Sequence, residues 1–412
     1  VEEWQRSNPD IKVFVPKEDM YEGDNEHFLV FPIQGGEKLL AIWTQSSVEG
    51  YGDNHLVMAE SSDSEKWSEP WYVAGAKKGQ SKGHQASWGF PIVADTGRIY
   101  VFYTKDVGLY DFDSQTTGTM GIVYSDDCGK HFTDGEDILF PRTPFDHPDS
   151  KIPPNFIVWQ KPIKDSKGRF FAGYTRWSSE KACPQVHDGW FSRDSRVHFM
   201  RFDNIHEGPD PKNIKITFLP GENVGLTVGF PGDETVSVAQ EPSIVLLPDN
   251  RIFCVMRTFT GYIWYCVSSD DGNSWTKPEV LRYRDDGEKI KQPIASCPVF
   301  PLSDGSFLLV FHNNDGNLGS YKPKDALYNR RPAYAAHGTF MPEAKQPVWF
   351  SEPIQMLDND GKIIGPKGTC EIATYPSFTE FQGKQVLWYP DRKYFLLGKY
   401  ITNELFQQDC PI

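Results

Sequence analysis

One two-strand pattern recurs six times in this sequence, and a self-similar period constrains a fold more than any local propensity. Each copy opens on a proline, runs to a turn and continues as an apolar stretch. The copies are FPIQGGEKLLAIW from Phe31, FPIVADTGRIYVFY from Phe90, KPIKDSKGRFFAGY from Lys161, EPSIVLLPDNRIFCVM from Glu241, CPVFPLSDGSFLLVF from Cys297 and YPSFTEFQGKQVLWY from Tyr375. Their prolines, Pro32, Pro91, Pro162, Pro242, Pro298 and Pro376, lie 56 to 80 residues apart. Gly, Asn and Asp at the turns supply the positive-φ positions that tight hairpins need. Proline at the first residue of a strand removes no ladder donor. A step of this length holds about four strands and their loops, which is one propeller blade. The pattern predicts an all-β fold, a six-bladed β-propeller of four-stranded antiparallel blades.

A second motif falls between the hairpins. Ser268, Asp270, Gly272 and Trp275 fit S-x-D-x-G-x-x-W. Ser125, Asp127, Gly129 and Phe132 fit with Phe for Trp, and Ser61, Asp63 and Trp67 form a shortened copy. This is the Asp-box, a turn joining the outer two strands of a blade. Its Ser and Asp satisfy the turn backbone, so Asp127 and Asp270 are structural and not catalytic candidates. Long 3.6-period stretches with caps are missing, so few helices are expected. Residues 203–238 read as a loop-rich insert between blades three and four. Val1 to Asp24 reads as a closing strand beside the last blade, and residues 1–412 read as one domain.

Composition narrows the partners. A formal net charge of −14 argues against nucleic acid or an anionic membrane surface. It leaves room for an acidic sugar, because a few local arginines override the average field. No apolar run reaches the ~18 residues of a membrane span. The chain opens on Val1 with no leader, and the expected location is secreted or periplasmic with a signal peptide removed. The seven cysteines show no C-x-x-C spacing, which argues against zinc. Cys254 and Cys266 flank Thr260 symmetrically and read as facing, buried thiols, bonded or free. Asp358–Gly361 and Asp111–Asp113 fall short of a calcium loop and read as turns. No metal and no cofactor is expected.

The repeat also says where chemistry can sit. In each hairpin the start of the first strand and the end of the second lie on one side, and the turn lies on the other. Six hairpins in a ring place all these ends around one central depression. The polar residues there are Gln45, His84, Lys105, Asp106, Gln160, Lys161, Arg176, Glu241, Arg257, His312, Asn313, Asn314, Tyr375, Asp391 and Arg392. Their convergence is what marks a site. Glu241 heads a strand and Arg257 ends its partner, so they are neighbours. Tyr375 heads blade six in the slot of Glu241. A tyrosine beside a carboxylate becomes nucleophilic when the carboxylate takes its proton.

These residues carry a resemblance. QEPSIVLLPDNRIFCVMRTFTGYIWYCVSSDDGNSW resembles the exo-sialidase (neuraminidase) and Asp-box superfamily, in which a Glu heads one strand, an Arg ends the next and an Asp-box follows. ATYPSFTEFQGKQVLWYP resembles its nucleophile strand, and NRRPAYAAHG the strand carrying a substrate-binding arginine, here Arg330 or Arg331. The resemblance implies a retaining glycoside hydrolase acting on a terminal acidic sugar of a glycan. Tyr375 would be the nucleophile and Glu241 its activating partner, with Arg257 and Arg330 clamping a substrate carboxylate. Guanidinium forks suit that task, and a tyrosine nucleophile is a known exception among glycosidases.

The sequence also departs from the family. Val30 stands where a first clamp arginine is expected, ahead of Pro32. His84, Lys161 and Arg176 are candidates to compensate, with Gln160 and Arg392 on the same face. The substrate class therefore widens to a ketodeoxy sugar or a uronate. The family's acid lies in the loop after blade one, where Asp53 is the candidate and Glu49 the second choice. Two other functions fit the same face. A polysaccharide lyase would use His84 and Tyr375 at a uronate. A non-catalytic glycan-binding propeller would use a rim of Trp88, Trp159, Trp177 and Trp190.

Overall fold

The computed structural model of the protein describes residues 2–17, 19–77, 84–183, 187, 189–221 and 224–407. Six antiparallel sheets stand in a ring, and all but the last are built outward from the centre in chain order. This is the six-bladed propeller that the repeat predicts. Blade one holds Asp24–Ile33, Lys38–Ser46, His55–Ser61 and Trp71–Gly75, and blade two Ala86–Val93, Ile99–Lys105, Thr119–Ser125 and Glu136–Ile138. Blade four runs Gln240–Leu246, Ile252–Arg257, Trp264–Ser268 and Glu279–Val280. Blade five has Val299–Pro301, Phe307–Phe311 and Ala333–Phe340, on which both Val348–Phe350 and Ile354–Leu357 pair.

Blade three departs from the regular pattern. Its innermost strand is broken into Asn155–Ile157 and Ile163–Lys164, both paired with Phe170–Trp177. Ser195–Phe202 and Ile216–Leu219 complete it. The insert near 203–238 is therefore more ordered than a loop. It supplies the outer strand of blade three and a small hairpin of Gly229–Phe230 with Asp233–Ser237.

Blade six comprises Ser377–Phe381, Lys384–Asp391, Phe395–Tyr400 and, from the other end of the chain, Ile11–Phe14. The expected closing strand is thus the outer edge of the last blade. Phe14 is buried and its ring lies 5.4 Å from that of Trp43 in blade one.

The core lies in layers between neighbouring blades, as face-to-face sheets require. Phe28, Trp43 and Trp388 fill the seam between blades six and one. Phe199, Ile244 and Cys254 fill that between three and four. The three Asp-boxes form as read. In blade four the Ser274 amide donates to Asp270 at 2.8 Å, and the Gly272 amide donates to the Ser268 hydroxyl at 2.8 Å. Trp275 stacks on Phe199 at 4.2 Å. Cys254 and Cys266 face each other across the ladder as buried free thiols. No helix among the described residues is long and apolar enough to cross a membrane.

Because Ile11–Phe14 closes the ring, Phe14→Ala is expected to destabilise the whole propeller. The loss for a buried Phe is about 3–5 kcal/mol. It should appear as a lower denaturant midpoint with an unchanged far-ultraviolet spectrum; an unchanged midpoint would contradict this role.

Candidate active site

Four inner-strand starts hold backbone conformations that side chains rarely adopt. The φ angles are 55° at His27, 61° at Trp88, 47° at Glu241 and 61° at Tyr375. Strand pairing slips at three of these places, between Glu26 and Leu29, Ser87 and Phe90, and Gln240 and Pro242. Such bulges bend a strand and re-aim a side chain. For three of them a hydroxyl from the preceding blade or its connection takes the displaced amide. The Trp88 amide donates to Thr44 Oγ1 at 3.1 Å, Glu241 to Thr175 Oγ1 at 2.6 Å, and Tyr375 to Ser296 Oγ at 2.9 Å. The rings of His27, Trp88 and Trp159 consequently gather around Tyr375, at centroid distances of 4.4, 5.6 and 6.0 Å.

The Tyr375 hydroxyl donates to Glu241 Oε1 at 2.7 Å. Arg257 Nη1 lies 2.8 Å from Glu241 Oε2 and donates to the Tyr375 oxygen at 3.2 Å. The back edge of the same guanidinium is fixed by Gln240, whose Oε1 accepts from Nε at 3.1 Å and Nη2 at 2.5 Å. Burial, then the Glu241 charge, pushes the Tyr375 phenol well above its ordinary range, against the pull of Arg257, Arg330 and Lys393. The phenol is therefore protonated, with its proton aimed at a carboxylate.

A second set of charges adjoins this one. Arg330 donates to Glu371 Oε2 at 2.8 Å and to the Ile294 carbonyl at 2.8 Å. Burial alone would raise the Glu371 carboxyl. Lys367, Lys393 and Arg330 overcome it and hold the group well below the carboxylate range. Lys393 lies 2.6 Å from Glu26 and 2.8 Å from Glu49, with its ammonium 5.3 Å from the centre of the Tyr375 ring. Lys367 pairs with Glu49 and reaches Glu371 at 3.4 Å. Asp24 is pushed up to about 8, by burial first and Glu26 second, with Lys393 and Lys367 pulling the other way. The carboxylates of Asp24, Glu26 and Glu49 lie within 4.8 Å of one another. Because Lys393 already serves as counter-ion to two of them, the set does not fit a metal.

Both sets open on one pocket of 480 Å³. Tyr375, Glu241, Arg257 and Arg330 line it with Lys367, Lys393, Glu49 and Asp113. Trp88, Trp177, Phe112 and Trp190 add aromatic wall. Trp190 covers both guanidiniums, 5.3 Å from Arg257 and 5.8 Å from Arg330. Burial raises the Asp113 carboxyl, partly offset by the Gln115 and Thr116 amides.

The structure thus gathers Tyr375, Glu241, Arg257 and Arg330, and it places the other candidates elsewhere. Asp53 turns away to the Ser47 amide and hydroxyl, the latter at 2.6 Å, and closes its own loop. Glu49, the second choice, does line the pocket, tied to two lysines. Arg331 is committed to Asp358 at 2.6 and 2.9 Å. Arg176 pairs with Asp146 over the Phe140 ring. Arg392 is locked to Asp391 and the Glu3 carbonyl. His84 is exposed and does not line the pocket, which leaves the lyase reading without the histidine it invoked. Gln160 and Lys161 fall within the break in blade three, further down the central shaft. There they line a separate cavity of 350 Å³. Gln160 ties to Ser243 and Ile244, and Lys161 donates to the Val30 and Phe378 carbonyls, with burial lowering its ammonium to about 7. Val30 itself packs between blades six and one, so that slot offers no side chain to the pocket. Of the tryptophan rim, Trp88, Trp159 and Trp177 are buried, and Trp190 is 36% exposed.

The sequence reading missed Lys367, Lys393, Glu371 and Asp113. Lys393 adjoins Arg392, which was read onto the face. Both residues have positive φ, 60° at Arg392 and 47° at Lys393, and the lysine is the one that turns inward. Asp113 belongs to a loop between strands and not to a strand end.

With this geometry in hand, comparison with known proteins gives a family. The profile of the BNR repeat-like domain matches residues 37–383, and the chain belongs to that family. No curated protein matches the chain. Among solved structures it is similar to a protein of unknown function from Dyadobacter fermentans, with TM-score 0.62 and 13% identity over 96% of this chain and 98% of that one. It is similar to the intramolecular trans-sialidase of Ruminococcus gnavus, with TM-score 0.59 and 14% identity over 98% and 99%. The NanB sialidase of Streptococcus pneumoniae gives TM-score 0.60 and 11% identity over 96% and 70%. At these identities the likeness is one of fold.

Asp24 gives a pH test. Its folded pKa lies above its unfolded value, so the stability it contributes is full in acid and is lost as pH rises through about 8. Asp24→Asn, measured against the parent protein by chemical denaturation from pH 5 to 9, should gain relative stability with rising pH. A difference independent of pH would show that Asp24 holds no proton.

Proposed function

We propose that the protein is a sialidase-like, retaining exo-glycoside hydrolase that releases a terminal acidic sugar from a glycan. The reading rests on one observation, the 2.7 Å hydrogen bond from the buried Tyr375 hydroxyl to Glu241. A neutral phenol is a poor nucleophile. One whose proton is already shared with a carboxylate can lose it as the new bond forms. Using a phenol also keeps a second negative charge away from an anionic substrate.

Arg257 and Arg330 hold the substrate carboxylate, with Lys367 adding positive charge in the same wall. Tyr375 Oη bonds to the anomeric carbon and its proton passes to Glu241. The bond to the leaving oxygen breaks, and that oxygen takes a proton from an acid. Asp113 is the acid we assign, in place of Asp53, because it lines the pocket and burial raises its carboxyl. Glu49 is tied to Lys367 and Lys393 as a counter-ion. In the second half, water attacks the anomeric carbon and Asp113 takes its proton; the bond from that carbon to Tyr375 Oη breaks, and Glu241 returns its proton to the freed Tyr375 oxygen.

Tyr375→Phe should lower turnover by at least 10³-fold, in line with loss of a covalent nucleophile, while sugar binding stays within a few-fold. Mass analysis of products from a panel of acidic glycans reads it directly. Sugar released with one added water, lost in Tyr375→Phe, supports the reading. Release undiminished in the variant, or an unsaturated product absorbing in the near ultraviolet, refutes it.

A further inference from the structure

The cavity around Lys161 takes no part in the proposed reaction. It measures 350 Å³ and shares no lining residue with the Tyr375 pocket. It lies further along the same inner strands. Ile244 follows Glu241 in one of them, and Pro376, Ser377 and Phe378 follow Tyr375 in another. Leu302 and Glu380 on its wall stand beside the hairpin turns of blades five and six, so it opens on the opposite face of the ring. Trp159, next to Gln160 in the chain, is buried with its ring 6.0 Å from that of Tyr375 and stands between the two cavities.

The innermost strand of each blade turns a free edge of amides and carbonyls to this shaft, and buried groups of that kind need partners. Neutral side chains serve three of the amides. Gln160 Oε1 accepts from the Ile244 amide at 2.9 Å, Ser243 Oγ from that of Val299 at 3.0 Å and Ser377 Oγ from that of Val30 at 2.9 Å. The carbonyls of Val30 and Phe378 are taken by Lys161, whose side chain reaches from blade three to blades one and six. Two carbonyls need two N–H donors, which a neutral amide supplies. An ammonium brings a third N–H and a full charge. Among the described residues neither has a partner. No carboxylate lies within ion-pair reach of Lys161, and burial is what lowers its ammonium to about 7. Glu380, the other titratable group on the wall, is exposed. Lys161 is itself only partly buried, so it can be met from the cavity. The rest of the wall is mostly hydrocarbon, with Phe300 stacked on Phe378 at 5.6 Å. A buried charge without a counter-ion is costly, and the cavity has the size of a small-molecule site.

We propose that this cavity is a binding site for a small monocarboxylic acid with an apolar body, its carboxylate pairing with Lys161 and its body lying against Phe300 and Phe378. One cation matches one negative charge, and hydrocarbon walls favour an apolar body over a hydroxylated one. The site is independent of the hydrolase reading and stands or falls without it. The probes are benzoate, 3-phenylpropionate and hexanoate, titrated into the whole protein by calorimetry at pH 6, with their amides as neutral counterparts. At least one acid should bind, at least tenfold tighter than its amide. Its Kd should rise at least tenfold in Lys161→Met and in the cavity-filling Leu302→Trp. In the parent protein Kd should also rise at least tenfold from pH 6 to pH 9, as the ammonium loses its proton, and this readout needs no variant. If no acid binds, if the amide binds as tightly, or if Kd is the same at pH 6 and pH 9, the proposal is overturned. Binding lost in Arg330→Gln and kept in Lys161→Met would put the acid in the Tyr375 pocket and overturn it as well.

Discussion

The site depends on one backbone device, an inner strand that bulges at its first residues and hands its amide to the blade before it. A left-handed conformation costs a residue such as Glu241 or Tyr375 on the order of 1–3 kcal/mol. It persists because the neighbourhood over-determines it. Thr175 of blade three holds the Glu241 amide, and Ser296, leading into blade five, holds that of Tyr375. Blade-to-blade packing thus fixes where the Glu241 and Tyr375 side chains point. Their 2.7 Å contact is a property of the closed ring and not of either strand. This is why Ile11–Phe14, far from the pocket in sequence and position, matters to it.

Charge balance is the second constraint. Arg257, Arg330, Lys367 and Lys393 face Glu241, Glu371, Glu49, Glu26 and Asp24, four cations against five carboxyls. Removing one partner from a buried pair leaves an uncompensated charge worth about 3–5 kcal/mol, so a cluster like this tends to neutrality. A proton on Asp24 achieves it. The same logic explains why Glu371, touched by three cations, lies well below the carboxylate range although it is as buried as Asp24.

Much of the fold was legible in the sequence because propeller blades repeat. Six prolines, the turn glycines and three Asp-boxes each report local geometry, and local geometry repeated six times defines the ring. Tyr375, Glu241 and Arg257 were legible for the same reason, since they head or end strands beside a proline or an Asp-box. What failed is what breaks the repeat. The interruption of blade three between Ile157 and Ile163 moved Gln160 and Lys161 down the shaft. Asp53 and Asp113 are both loop residues. Nothing in their sequence context says that one caps its own turn on Ser47 and the other reaches the pocket. Arg392 and Lys393 differ by one position, and only the left-handed turn decides which of them faces inward.

The empty blade-one slot takes on a different meaning in three dimensions. Val30 is core, yet positive charge still reaches the start of blade one, because Lys393 comes in from blade six to meet Glu26 at 2.6 Å. The substitution is not conservative. A guanidinium offers a flat fork that matches both oxygens of a carboxylate, whereas an ammonium is a compact point charge. A carboxylate in this pocket therefore meets guanidinium forks from blades four and five and only point charges toward blades six and one. Orientation would come from one side of the ring and general attraction from the other. Under the proposed function, such a site would hold an acidic group from one side of the ring without enclosing it on three sides.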